Sequence, residues 1–171
     1  MLNSTPASKT YVFDGRPRFP LRVVVKRYWI GECPDAINHE DWEDALTLVF
    51  MHGNGCHKEQ WEPTIQRLFQ NQQAAARRST TVRFHDMWSI DMPNQGDSAI
   101  LNEELFLWGY DTCEQYFLQH DGPKTHLLVV SWEICARGVH ALLAGLGSGV
   151  DVDFSKRKLV LAGHSLASNV A

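Results

Sequence analysis

Cysteine is scarce in this chain and nowhere clustered: Cys33, Cys56, Cys113 and Cys135 are the only four in 171 residues. There is no CxxC pair and no Cys/His spacing of the metal-binding kind. That argues against a zinc module and a disulfide scaffold, and free thiols in a reducing compartment are the simplest reading. No apolar run approaches the roughly 18 residues that a membrane span needs. Residues 1–10 are polar and carry no apolar stretch of the secretory-signal kind. Basic runs are short as well. Arg77-Arg78 and Lys156-Arg157-Lys158 stand at element boundaries, where charges are solvated, and the net charge is −4. Neither nucleic acid nor an anionic membrane surface is indicated as a partner. These features predict an intracellular protein without a transmembrane segment.

Apolar material is abundant, at 44% of the residues with six Trp and eight Phe, enough for a sizeable core. Residues 1–8 read as a frayed polar end, followed by a short strand over 9–14 closed by Asp14-Gly15. The β-branched and aromatic run 22–30 predicts a strand, and the acidic, turn-rich stretch 31–44 a surface loop. Leu46-Thr-Leu-Val-Phe-Met51 is continuously apolar, the pattern of a strand buried on both faces. Residues 58–73 place Trp61, Ile65, Leu68 and Phe69 at helical spacing, with Pro63 early enough for a first turn. A strand over 80–90 leads into the polar cluster Asp91-Met-Pro-Asn-Gln-Gly-Asp-Ser98. Residues 131–146 read as a helix ended by Gly145, Gly147 and Gly149, and 159–162 as a last strand. Alternation of strands with helices predicts βαβ units and a mostly parallel sheet. The apolar run Leu127-Leu-Val-Val130 also looks like a strand, although only the approach to a helix is expected there.

The chemistry concentrates at two turns. Lys158-Leu-Val-Leu-Ala-Gly163-His164-Ser165-Leu166-Ala167 is a short apolar strand running into a Gly-x-Ser-x-small turn, the nucleophile elbow, which lifts a serine hydroxyl above the sheet edge. The turn is tight, so its flanks, Gly163 and Ala167, must be small. The alternative for Ser165 is a helix N-cap. Upstream, His52-Gly53-Asn54-Gly55 directly follows the buried strand 46–51. A loop in that place supplies one backbone N–H of an oxyanion hole, and the residue after the nucleophile supplies the other, which here means Asn54 and Leu166. His52 reads as a structural loop residue and Asp91 as a hydrogen-bonding partner of the turn before Gly96. His164 stands beside the serine and points elsewhere. Cys56 lacks the His and the electropositive setting of a nucleophile. His39, His57, His85, His120, His126 and His140 have no partner at ligand spacing.

Met51-His-Gly-Asn-Gly55, the cluster 91–98, the helix beginning at Trp132 and Gly163-His-Ser-Leu-Ala167 occur in an order that resembles the α/β-hydrolase superfamily in its serine esterase and lipase-like branch, over about residues 20–171. More narrowly, His57-Lys-Glu-Gln-Trp-Glu-Pro63, Gly96-Asp-Ser-Ala-Ile-Leu-Asn-Glu103 and Trp132-Glu-Ile-Cys-Ala-Arg137 are similar to a fungal subgroup that includes peroxisomal lipase-like and toxin-biosynthesis hydrolases. The resemblance implies an α/β fold, a doubly wound, mostly parallel sheet with strand order 1-2-4-3-5-6-7-8. Residues 1–20 would form an N-terminal, partly disordered extension, and 21–171 the N-terminal part of the domain. It implies Ser165 as nucleophile, the N–H groups of Asn54 and Leu166 as oxyanion hole, no cofactor and no metal. The substrate would be a small-molecule ester or acyl compound, lipid and acyl-thioester included, and the compartment cytoplasmic or peroxisomal. Ala167 departs from the family's usual Gly, and 112–130 has no clear counterpart.

A domain of that kind needs roughly 250 to 300 residues, and its acid and histidine follow the serine in chain order. Residues 1–171 by themselves are therefore expected to be a fragment truncated after the elbow, inactive and poorly soluble. Rival expectations are a haloperoxidase, acyltransferase or C–C hydrolase on the same fold, and a non-catalytic, degenerate or splice-truncated binding protein.

Overall fold

The structure, a computed structural model, describes residues 5–32, 44–75, 82–107 and 130–169. It is an α/β arrangement around a five-stranded mixed sheet. The strands are β1 (Ala7–Asp14), β2 (Arg22–Trp29), β3 (Leu46–Met51), β4 (Phe84–Ile90) and β5 (Lys158–Gly163), in the spatial order β1-β2-β4-β3-β5. β3 pairs in parallel with both β4 and β5, while β2 runs antiparallel to β1 and to β4. The expected parallel character thus holds for β3, β4 and β5. The short connection 15–21 allows only a hairpin between β1 and β2, because a parallel crossover needs about a dozen residues or more. β1 lies within the stretch 1–20 and pairs with β2 along its whole length, from Ala7 opposite Trp29 to Asp14 opposite Arg22. The segment 112–130 lies, Val130 apart, outside the described residues.

Strand alternation sorts the core onto two faces. On one face Val23, Val25, Val49, Met51, Trp88 and Ile90 pack under helix α3 (Trp132–Leu143), which contributes Ile134, Cys135, Val139 and Leu142. On the other, Tyr28, Leu48, Phe50 and Met87 pack against Ile65 and Phe69 of helix α1 (Glu62–Ala75). α3 starts where the Ser131 hydroxyl accepts the Ile134 N–H at 3.3 Å, an N-cap. The helix expected over 58–73 is split: Lys58–Trp61 forms a 3-10 turn and α1 begins at Glu62. Pro63, which has no N–H to donate, then occupies the first turn of α1, where none is needed.

Helix α2 (Gly96–Leu107) has no counterpart in the sequence-based expectations. Its inward stripe is Ser98, Asn102 and Phe106, all buried, whereas Ile100, Leu101 and Leu105 are exposed. The helix docks through polar contacts. Ser98 Oγ accepts the Val24 N–H at 2.8 Å, Asn102 Oδ1 accepts the Arg22 N–H at 2.8 Å, and Asn102 Nδ2 donates to the Arg22 carbonyl at 2.7 Å and the Pro93 carbonyl at 2.9 Å. β4 pairs with β2 only along Val25–Tyr28. The start of β2 thus meets α2 where a sheet neighbour would be: side chains satisfy the Arg22 N–H and carbonyl and the Val24 N–H, and the Asp91 N–H satisfies the Val24 carbonyl at 2.9 Å.

Candidate active site

Opposite each other in register, Met51, Ile90 and Gly163 end the three parallel strands. The loops that leave them therefore gather at one sheet edge, the place where open α/β sheets bind ligands.

At the end of β5, Ser165 has φ 58°, the only non-glycine residue in the left-handed region among those described. An L-residue there costs about 1–2 kcal/mol, and such strain concentrates at functional turns. A 3-10 helix, Ser165–Asn169, starts at once, so the serine sits at the point where a strand becomes a helix. The turn closes through the Ala167 N–H to the His164 carbonyl at 3.2 Å and Ser168 Oγ to the Ser165 carbonyl at 2.6 Å. Closure leaves no room at position 163, where a Cβ would collide with the Ala167 carbonyl. Ala167 itself is buried in the core shared with α3. The Leu166 N–H belongs to the first turn of this helix, where amides lack intrahelical acceptors.

The loop after β3 lies directly against the elbow. A Cβ at Gly53 would stand 2.8 Å from His164 Nδ1 and 3.2 Å from Ser165 Cβ. The His164 N–H donates to the Met51 carbonyl at 3.1 Å, extending the β3–β5 pairing to the residue before the serine. The exposed His164 ring is approached by the Gln60 side-chain amide, Nε2 to Nδ1 at 3.3 Å.

His52 is buried, with both ring nitrogens engaged by backbone. Nδ1 lies 2.8 Å from the Gly53 carbonyl, and Nε2 accepts the Met92 N–H at 3.0 Å. These partners fix the tautomer: the proton is on Nδ1, where the neighbour is an acceptor. Burial holds the imidazole below its ordinary pKa, against the opposing pull of the Gly53 carbonyl and of Asp91.

Asp91 is fully buried just past β4 and organises both loops. Its carboxylate accepts the Lys58 N–H at 2.7 Å, the Lys58 ammonium at 2.9 Å and the Asp97 N–H at 2.9 Å. Lys58, buried itself, also reaches Asp97 at 2.6 Å and Glu59 at 3.2 Å. Burial alone pushes the Lys58 pKa down, but the hydrogen bonds to Asp97 and Asp91 outweigh it and hold the ammonium above its usual range. Lys58 is thus a permanent cation clamped among carboxylates. Gln95 completes the connection: its Oε1 accepts the Gly55 N–H at 3.0 Å and its Nε2 donates to Asn54 Oδ1 at 2.6 Å.

The structure thus brings together Ser165, Leu166 and the Gly53–Asn54 loop. It gives His52 and Asp91 backbone and loop-holding contacts and leaves Cys56 a half-buried free thiol whose N–H donates to the Gly53 carbonyl at 3.2 Å. His39, His120 and His126 lie outside the described residues. Lys58, Gln60 and Gln95, which tie the loops together, are not singled out by sequence, because each is defined only by contacts across loops. Among the described residues no group of His, Cys, Asp and Glu could hold a metal ion, and no helix is long and apolar enough to cross a membrane. No protein-family model matches the chain, and no curated protein matches it.

Proposed function

We propose that this protein is a serine hydrolase of the α/β-hydrolase type that cleaves ester bonds of small acyl substrates through an acyl-enzyme. The observation that carries the reading is Ser165: a serine at φ 58° on the turn from β5 into a helix, with the glycine-containing loop after β3 packed on it. The strand order β1-β2-β4-β3-β5 agrees with the first five strands expected of that fold, and helices cover both faces. Both support the reading.

In the proposed reaction Ser165 Oγ attacks the substrate carbonyl carbon while a general base takes the hydroxyl proton. The carbonyl oxygen, now negative, is held by the Asn54 and Leu166 N–H groups, each donor worth a few kcal/mol in the transition state. Collapse expels the alcohol, which takes the proton back from the base, and water repeats the sequence to release the acid. In this fold the base follows the serine in the chain. The mechanism draws on no cofactor. Hydrolysis of p-nitrophenyl esters by the protein translated from its complete reading frame tests the reading. Activity abolished by Ser165→Ala supports it, and activity that survives Ser165→Ala refutes it.

A further inference from the structure

The loop after β3 is fastened to the turn after β4 at three successive places. His52 Nε2 accepts the Met92 N–H, Gln95 holds Asn54 and Gly55, and Asp91 holds both the N–H and the ammonium of Lys58. The first and third fastenings are buried and flank the loop. The middle one is a single side-chain amide, and it acts on the two residues at the tip. Gln95 uses both ends of that amide, one oxygen for a backbone N–H and one nitrogen for a side-chain oxygen. Its own backbone is fixed, with its N–H on the Met92 carbonyl at 2.9 Å and its carbonyl accepting the Ala99 N–H at 3.3 Å at the start of α2. The Asn54–Gly55 peptide thus has its orientation set from outside the loop. Among the described residues the Asn54 N–H has no backbone acceptor.

We infer that Gln95 is a positioning residue of the oxyanion hole: His52 Nδ1 and the Cys56 N–H hold the carbonyl of the Gly53–Asn54 peptide, and Gln95, by holding the Gly55 N–H and the Asn54 side chain, fixes the other side of Asn54, so that the Asn54 N–H stays aimed at the substrate oxygen beside Ser165. This rests on the hydrolase reading above. A donor aimed in advance needs no reorganisation when charge develops, and that pre-alignment is where such holes gain their effect. Gln95 touches no reacting atom, so its removal lowers the rate of chemistry and leaves substrate binding in place.

The test compares Gln95→Met, which keeps length and removes both hydrogen bonds, with Gln95→Glu in the protein translated from its complete reading frame. Glutamate retains an acceptor for the Gly55 N–H and meets Asn54 once the Asn54 amide turns its nitrogen inward. Expected in Gln95→Met are a kcat for p-nitrophenyl esters reduced about tenfold to a hundredfold, a KM within about twofold, and faster amide exchange at Gly55. Gln95→Glu restores Gly55 protection and part of kcat, its carboxylate opposing some of the charge that develops in the hole; a merely space-filling role at the start of α2 would leave glutamate no better than methionine. Unchanged kcat in Gln95→Met, alongside activity abolished by Ser165→Ala, overturns this inference and leaves the hydrolase reading standing. Activity that survives Ser165→Ala overturns both.

Discussion

Gly53 and Ser165 stand face to face across the ends of β3 and β5, so close that a methyl group on Gly53 would lie 3.2 Å from Ser165 Cβ. That contact joins the two halves of the proposed site. The strand pairing Met51–Gly163 and the bond from the His164 N–H to the Met51 carbonyl bring the loops to the same height, and the missing side chain lets them meet.

Gly53→Ala should therefore act on chemistry more than on folding. The new methyl would stand 2.8 Å from the exposed His164 ring, which can move aside, and against Ser165 Cβ, which cannot. The loop must shift by a few tenths of an ångström away from the serine. The expected outcome is a loss of about tenfold to a hundredfold in kcat/KM with a denaturation midpoint close to that of the wild type, measured by ester hydrolysis and urea titration.

Substitutions at Ser165 separate backbone strain from chemistry. At φ 58° alanine suffers the same Cβ clash as serine, and glycine does not. Ser165→Gly should be more stable than Ser165→Ala by about 1 kcal/mol, while both are inactive. Equal stability of the two variants in denaturant titration would mean that the elbow is not held in the left-handed conformation.

Asn102 carries a docking role usually given to apolar residues. Its side chain satisfies both the N–H and the carbonyl of Arg22 as well as the Pro93 carbonyl. Asn102→Leu keeps the branched shape, adds some bulk and strands the buried Pro93 carbonyl and the part-buried Arg22 groups, at about 1–3 kcal/mol for each buried group left unsatisfied. A fall in stability of at least about 2 kcal/mol is expected by denaturant titration, with α2 the first segment to lose protection in hydrogen exchange.

The pH dependence follows from His52. Burial lowers its pKa in the folded chain below the ordinary 6.5, so between those two values the unfolded chain binds a proton that the folded chain does not. Stability is full above about pH 6.5 and declines as pH falls below it, by at most about 1.4 kcal/mol per pH unit from this group. Protonation also costs the Met92 N–H its acceptor on Nε2. His52→Gln should show a shallower loss of stability between pH 6.5 and the folded pKa, read from denaturation midpoints at a series of pH values.

Much of this architecture is legible from sequence, for physical reasons that differ by element. β3 is visible because a strand covered on both faces has no charged position to break the run Leu46–Met51, and its one polar side chain, Thr47, is buried with its hydroxyl on Asp86. α3 is visible because its buried positions, Ile134, Cys135, Val139 and Leu142, are apolar at helical spacing. The elbow is visible because Gly163 and Ala167 are small for a steric reason written in the residues themselves. α2 is hidden because its inward stripe carries Ser98 and Asn102 while Ile100, Leu101 and Leu105 face outward, which reverses the usual pattern. The antiparallel pairing of β1 with β2 is legible in the connection 15–21, too short for a parallel crossover, whereas that of β2 with β4 is hidden because strands of either direction can present the same residues. Gln95 is hidden because a glutamine in a polar turn looks like any other until the loop it holds, fixed by strands far away in the chain, is brought beside it.

The most direct test of the central claim is covalent labelling of the protein, translated from its complete reading frame, with a fluorophosphonate probe, followed by mass spectrometry of its peptides. A single adduct is expected on the peptide that carries Ser165, formed more slowly in Gly53→Ala and absent from Ser165→Ala. Folded protein that takes up no label, or the same adduct in Ser165→Ala, would contradict it.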